Sequence, residues 1–185
     1  QWEAWEAALS RRLQIIWGPP GTGKSRTLTA VVMGAVADAV SRKAPLRMLV
    51  CAPTYNAMDN VLLDAVSYIG QMFKHPDLKC VRVRSSYRPY DGNIPRGLDL
   101  ELNKPNPSPQ VLQLYHRLME GQGITVVGAT PEQVHNLLMA GNNKPCQEAF
   151  DFIILDEASQ VDVGHAILAF ASLAEGGTVV VAGDP

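Results

Sequence analysis

The chain has 185 residues, 46% of them hydrophobic, and carries 16 basic against 18 acidic residues for a formal net charge of -2. That is apolar material enough for one ordinary domain, and the near balance of charge excludes a generally cationic protein that coats nucleic acid while leaving room for a local binding groove. No apolar run approaches the ~20 residues that span a bilayer, so no membrane partner is expected, and the opening QWEAWEAALSRR lacks the pattern of a secretory leader, which points to an intracellular protein with nuclear or cytoplasmic location left open.

Leu13, Ile15 and Ile16 read as a buried strand. The strand runs into Gly18-Pro19-Pro20-Gly21-Thr22-Gly23-Lys24-Ser25, which satisfies the pattern G-x-x-x-x-G-K-[ST], and Leu28, Val31, Val32, Ala35, Val36 and Ala39 follow at helical spacing. Strand, glycine loop and helix in that order make a phosphate cradle: glycines let backbone N–H groups turn inward, and the helix N-terminus adds free donors and partial positive charge. Lys24 is placed to reach the β- and γ-phosphates of ATP and Ser25 to ligate Mg2+, with Arg26 beside them.

Met48 to Ala52 form the next predicted strand, and Pro53-Thr54 opens a helix whose apolar face is Met58, Val61, Leu62, Ala65, Val66 and Ile69. From residue 84 to residue 120 the character changes. Pro89, Pro95, Pro105, Pro107 and Pro109 interrupt regular structure until a short amphipathic helix carries Val111, Leu114, Leu118 and Met119, so 84–120 is expected to be an insertion or small subdomain. Lys79, Arg82, Arg84, Arg88 and Arg96, interleaved with Tyr87 and Tyr90, form the one local basic concentration; it suits either a single nucleic-acid strand or a solvated basic loop.

Ile124 to Val127 repeat the strand-then-helix design, with Thr130 as N-cap, Pro131 in the first turn and Gln133 completing a capping box. Phe152, Ile153, Ile154 and Leu155 are a continuous apolar run suited to a parallel strand covered on both faces, and it ends in Asp156 and Glu157. Asp156 suits the magnesium shell; Glu157 is placed to orient and deprotonate an attacking water. Cys51, Cys80 and Cys146 are too scattered for a disulfide framework or a zinc site and read as reduced, buried thiols, and His75, His116, His135 and His165 are assigned no metal role. The chain starts without Met and stops within a pattern at VVVAGDP, so a longer protein is expected.

Several of these stretches together carry a resemblance. GPPGTGKS, APTYNAMDNV, DEASQ and the closing GDP, with QWEAWEAAL upstream, resemble motifs of the first RecA-like domain of superfamily 1 helicases, in the subgroup of the nonsense-mediated-decay helicase and senataxin. The resemblance runs over residues 1–185 and implies an α/β, RecA-like P-loop NTPase domain with a mostly parallel sheet flanked by helices. It also implies ATP-driven 5′-to-3′ movement on single-stranded RNA or DNA and a second RecA-like domain as partner. By the same resemblance Gln1 reads adenine, Asp184 belongs to the nucleotide site, and Thr54, Asn56 and Thr130 contact the strand. Trp2, Trp5 and Trp17 are assigned packing rather than site roles. An AAA+ protein remodeller is disfavoured because its acidic strand follows the P-loop at roughly half the interval between Lys24 and Asp156; a non-catalytic nucleic-acid-binding ATP sensor is the other alternative.

Overall fold

A computed structural model describes residues 1–73, 75–103, 106–142 and 148–184; Pro105, Cys146 and the closing Pro185 lie outside the described residues. In chain order the elements are α1 (Trp2–Ser10), β1 (Leu13–Trp17), α2 (Lys24–Arg42), β2 (Leu46–Cys51), α3 (Tyr55–Met72), β3 (Leu78–Ser85), β4 (Asp99–Leu102) and α4 (Pro109–Glu120). They are followed by β5 (Ile124–Ala129), α5 (Pro131–Asn142), β6 (Phe150–Leu155), a single 3-10 turn (Ala158–Gln160), α6 (Val163–Phe170) and β7 (Leu173–Gly183). The strands form one seven-stranded sheet in the order β1-β7-β6-β2-β5-β3-β4, and every pairing is parallel.

The strand sequences explain this arrangement. A parallel sheet is covered on both faces, so its inner strands must be apolar without alternation. All six residues of β5 are buried, as are five of the six in β6. One face is packed by the apolar sides of α1, α2 and α3, through residues such as Leu28, Val32, Met58 and Leu62; the other is packed by α4 and α5, through Val111, Leu114, Val134 and Leu137. Helix starts are fixed locally: the Thr54 and Ser108 hydroxyls accept from Ala57 N–H at 3.2 Å and Val111 N–H at 3.3 Å, and Asp162 accepts from His165 N–H at 2.9 Å.

Residues 84–120 continue the sheet. Leu98 and Leu102 are buried, β4 pairs with β3 from Arg82↔Asp99 to Ser85↔Leu102, and α4 buries Val111, Leu114 and Leu118 against the same core as α5. Of the described prolines in this stretch, Pro89, Pro95 and Pro107 fall in irregular connections and Pro109 takes the first position of α4, where no backbone N–H is needed. Because all pairings are parallel, the C-terminal ends of the strands share one edge, where open α/β sheets bind ligands.

Candidate nucleotide site and sheet edge

The loop after β1 is tied to the neighbouring β7 by Gly18 N–H, which donates to the Gly183 carbonyl at 3.4 Å. Within it, Thr22 donates twice to the Pro19 carbonyl, from its backbone N–H at 3.4 Å and its hydroxyl at 2.8 Å. Gly21 and Gly23 take φ values of 79° and 88°, in the left-handed region that costs other residues strain. A Cβ on Gly23 would also collide with the side-chain amide of Gln1, which donates to the Thr22 carbonyl at 3.1 Å. Gln1 thus sits against the loop, beside a cleft of about 430 Å³ lined by Trp2, Trp5, Arg26, Thr27 and Ala30.

Gly23 is the N-cap of α2 and supplies no side chain to accept the first-turn N–H groups. Those donors, on Lys24, Ser25 and Arg26, are available to an anion. Lys24 Nζ donates to the Gly18 carbonyl at 2.6 Å and the Pro19 carbonyl at 3.1 Å, and lies 2.5 Å from Asp184 Oδ1. Asp184 is in turn positioned from β7's end, its N–H donating to Ser159 Oγ at 3.3 Å. Ser25 and Arg26 are exposed at the start of the helix.

Asp156 is only 3% exposed. Its N–H donates to the Cys51 carbonyl of β2 at 2.9 Å, and its Oδ1 accepts from Glu157 N–H at 2.9 Å. Burial pushes its carboxyl above the ordinary range, and the neighbouring Glu157 and Asp184 charges add to this; the Glu157 N–H and the Lys24 charge oppose it. Glu157 holds φ at 51°, one of two such non-glycine residues among those described. A left-handed conformation costs an ordinary residue about 1–2 kcal/mol, and no sequence signal marks it here.

The donor set fits Mg2+ and a triphosphate. The Ser25 hydroxyl and Asp156 carboxylate are hard oxygen ligands of the kind that hold Mg2+ jointly with phosphate oxygens. Among the described residues no group of three or more His, Cys, Asp or Glu is arranged to hold a metal ion. Trp5 packs as expected, its indole N–H donating to the Ala30 carbonyl at 2.8 Å, whereas Trp2 and the edge-strand Trp17 are largely exposed.

Further along the same edge, Thr54 and Asn56 are exposed at the start of α3, while Thr130, which precedes α5, is buried and only 4% exposed. The basic concentration is divided. Arg82 and Arg84 neither line a groove nor form a solvated loop: both are buried in β3, paired with Asp59, Asp99 and Glu101 at 2.6 to 2.9 Å. Lys79 and Arg96 line a separate recess with Asp99, Glu101 and Ser108, which leaves Arg88 beside Tyr87 after the end of β3. Sequence reading assigned no role to Tyr55, Asp59 or Asp99, whose partners are distant in the chain.

Glycine loop, helix N-terminus, Lys24 and the acidic pair, gathered on one edge of an all-parallel sheet, define a P-loop nucleotide-binding domain of RecA-like architecture. Residues 1–99 match the AAA_11 family, described as an AAA domain, and the chain belongs to that family, within the superfamily 1 helicase group that its motifs resemble. It is 34% identical over 115 residues to an uncharacterized ATP-dependent helicase of Methanocaldococcus jannaschii, covering 62% of this chain and 16% of that protein. It is 37% identical over 89 residues to ATP-dependent helicase upf1 of Schizosaccharomyces pombe, covering 48% of this chain and 9% of the relative. Mouse DNA-binding protein SMUBP-2 is 32% identical over 117 residues, covering 56% and 11%. The fold is shared with the nuclease-deletion mutant of the Type ISP restriction-modification enzyme LlaGI, solved with a DNA substrate mimic, at a TM-score of 0.60 and 19% identity over 98% of this chain and 17% of that one. It is also shared with the UvsW helicase of bacteriophage T4, at a TM-score of 0.55 and 16% identity over 98% and 50%. The chain therefore spans a small part of the curated relatives it matches. Among the described residues, no helix is long and apolar enough to cross a membrane.

Proposed function

We propose that the chain is the ATP-binding motor domain of an intracellular nucleic-acid helicase or translocase, which hydrolyses ATP with Mg2+ and moves 5′-to-3′ on single-stranded RNA or DNA together with a second RecA-like domain. What supports this above all is the order of strands. β1, β7 and β6 bring the glycine loop, Asp184 and Asp156–Glu157 to one stretch of the edge, and β6 pairs directly with β2, which leads to Thr54 and Asn56. The Asp156 N–H to Cys51 carbonyl bond joins the two stretches at the strand ends. A change at the phosphates is thus one strand away from a change at the nucleic-acid strand.

In this proposal Gly21, Thr22 and Gly23, with Gly18, Pro19 and Pro20, wrap the phosphates with backbone donors, and Lys24 exchanges Asp184 for the β- and γ-phosphates. Ser25 and Asp156 hold Mg2+, which when bound neutralises developing charge on the phosphate oxygens. Glu157 accepts the proton of the attacking water, and its strained backbone fixes the carboxylate relative to Asp156. Gln1 reads the adenine edge with its side-chain amide. Thr54 and Asn56 donate to phosphates of the strand, a contact indifferent to base sequence. Buried Thr130 has little side-chain surface to offer, and its part falls to the N-terminus of α5.

Nucleotide titration of two variants tests the division of roles. Lys24→Ala should lose triphosphate binding, because the phosphates lose their compensating cation. Glu157→Gln should bind as the wild type does and fail to turn over, because a near-isosteric amide cannot take the water's proton. Equal binding losses in both would refute the assignment.

A further inference from the structure

The turn after β3 is anchored from three directions. Arg88 N–H donates to the Ser85 carbonyl at 3.0 Å, closing a four-residue turn, and Tyr87 N–H donates to Ser85 Oγ at 3.3 Å. From the buried side, Arg84 donates to the Arg88 carbonyl and, at 3.3 Å, to the Ser85 carbonyl, while Asp99 and Glu101 hold its remaining nitrogens at 2.9 and 2.8 Å. Laterally, the Arg88 guanidinium lies 4.3 Å from the centroid of the Tyr55 ring, and Tyr55 Oη accepts from Ser85 N–H at 3.0 Å. Tyr55 is the first residue of α3, immediately after Thr54.

At the apex of this turn Tyr87 is 94% exposed. Single exposed aromatics are ordinary on protein surfaces. Tyr87 differs in its seat, which a buried arginine holds in place, and in its location. It stands at the C-terminal end of β3, on the edge that carries Thr54 and Asn56, and Tyr55 links the two places directly. The interval from β2 to β3 is two strand spacings, about 10 Å, within reach of one nucleic-acid strand running along the edge.

We propose that Tyr87, with Arg88 beside it, is a stacking platform for a nucleobase of the single strand whose phosphates Thr54 and Asn56 hold. This rests on the strand-binding part of the function proposed above. The tyrosine ring offers a flat face that any base can cover, and Arg88, steadied on Tyr55, offers a cation to an adjacent phosphate; an aromatic face beside a cation is the pairing that binds single strands without sequence preference. Thr54 and Asn56 then govern the backbone, and Tyr87 governs whether a base is present.

The test uses the 185-residue chain and two fluorescent oligonucleotides of equal length and charge, oligo(dT) and a strand of the same length whose central residues are abasic. Wild type should bind oligo(dT) more tightly than the abasic strand. Tyr87→Ala should abolish that preference by losing roughly 5- to 150-fold affinity for oligo(dT), leave binding to the abasic strand unchanged, and leave the melting temperature unchanged; Tyr87→Trp should keep the preference. If wild type prefers oligo(dT) and Tyr87→Ala retains the preference, or if wild type binds both strands equally, the platform is refuted while the phosphate track stands. A fall in melting temperature with Tyr87→Ala would make the ring a structural part and likewise refute the platform. If wild type binds neither strand, the track itself fails, and the platform with it.

Discussion

Asp156 is where the fold pays for its chemistry. Asp156 is 3% exposed and lies beside Glu157 and Asp184, and its pKa is raised, chiefly by burial and further by those two charges. A carboxyl whose folded pKa lies above the ordinary 3.8 supports the fold while protonated, and that support is lost as pH rises from there through the folded value. The burial of Asp156 therefore weighs against stability more at neutral pH than at acid pH. Asp156→Asn should raise the melting temperature at neutral pH, and the advantage should shrink as pH falls toward 3.8. The same variant should lose the added stability that Mg2+ with nucleotide gives the wild type, because one of the two proposed metal ligands is gone. Melting curves at the two pH values, with and without Mg-nucleotide, check both statements. A lower melting temperature for Asp156→Asn at neutral pH would mean that Lys24 and the Glu157 N–H outweigh the cost of burial.

At the scale of elements, α3, β3 and β4 are joined by charge as well as by apolar packing. Arg82, 1% exposed at its side chain, donates to Asp59 of α3 at 2.6 and 2.9 Å and to Asp99 of β4 at 2.7 Å; Asp99 also accepts from Arg84 at 2.9 Å. Removing one partner of a buried pair leaves an uncompensated charge, at a cost of about 3–5 kcal/mol. Asp99→Ala, which strips a carboxylate from two buried guanidiniums, should fall in that range by urea denaturation. Asp59→Ala should cost less, because Arg82 keeps Asp99 and Asp59 is the more exposed of the two carboxylates. Equal small losses would show that water replaces these carboxylates freely. This network also marks where sequence reading stopped. Strands such as Phe152 to Leu155 and helices such as that carrying Met58, Val61 and Leu62 announce themselves through apolar runs and spacing, and the glycine loop and acidic pair are contiguous signatures whose geometry is fixed by local backbone. Arg82 and Arg84 carried no such mark: Asp59 lies 23 residues before Arg82 and Asp99 17 residues after it, so adjacent Lys79, Arg88 and Arg96 made the group look like a surface run. In the stretch 84–120 the prolines are visible locally, whereas the pairing of β4 with β3 is not. The left-handed Glu157 is equally silent, because nothing in DEASQ requires a positive φ.

At the scale of the whole molecule, the parallel sheet collects the nucleotide groups on one edge but supplies them from one side. Between Ala158 and Pro185 the sequence contains no Lys or Arg, and His165, the one basic side chain there, is engaged by Asp162 at 2.5 Å and Glu132 at 3.0 Å. Lys24 itself must answer both Asp184 and the phosphates. In the mechanism proposed above, an arginine directed at the γ-phosphate comes from the second RecA-like domain. Such a residue is typically worth ~10³–10⁵ in rate, so the 185-residue chain without one faces a barrier higher by roughly 4–7 kcal/mol. It should bind Mg-nucleotide weakly and hydrolyse it negligibly. Adding single-stranded RNA or DNA should not change this, because in the proposed mechanism the strand accelerates turnover by drawing two domains together around the phosphates. Steady-state phosphate release by the chain alone, with and without oligonucleotide and against a Glu157→Gln control, measures it. Robust release that the strand stimulates would mean that the site is completed within this domain or by its self-association, and the two-domain mechanism would have to give way to one in which Lys24, Asp156 and Glu157 suffice.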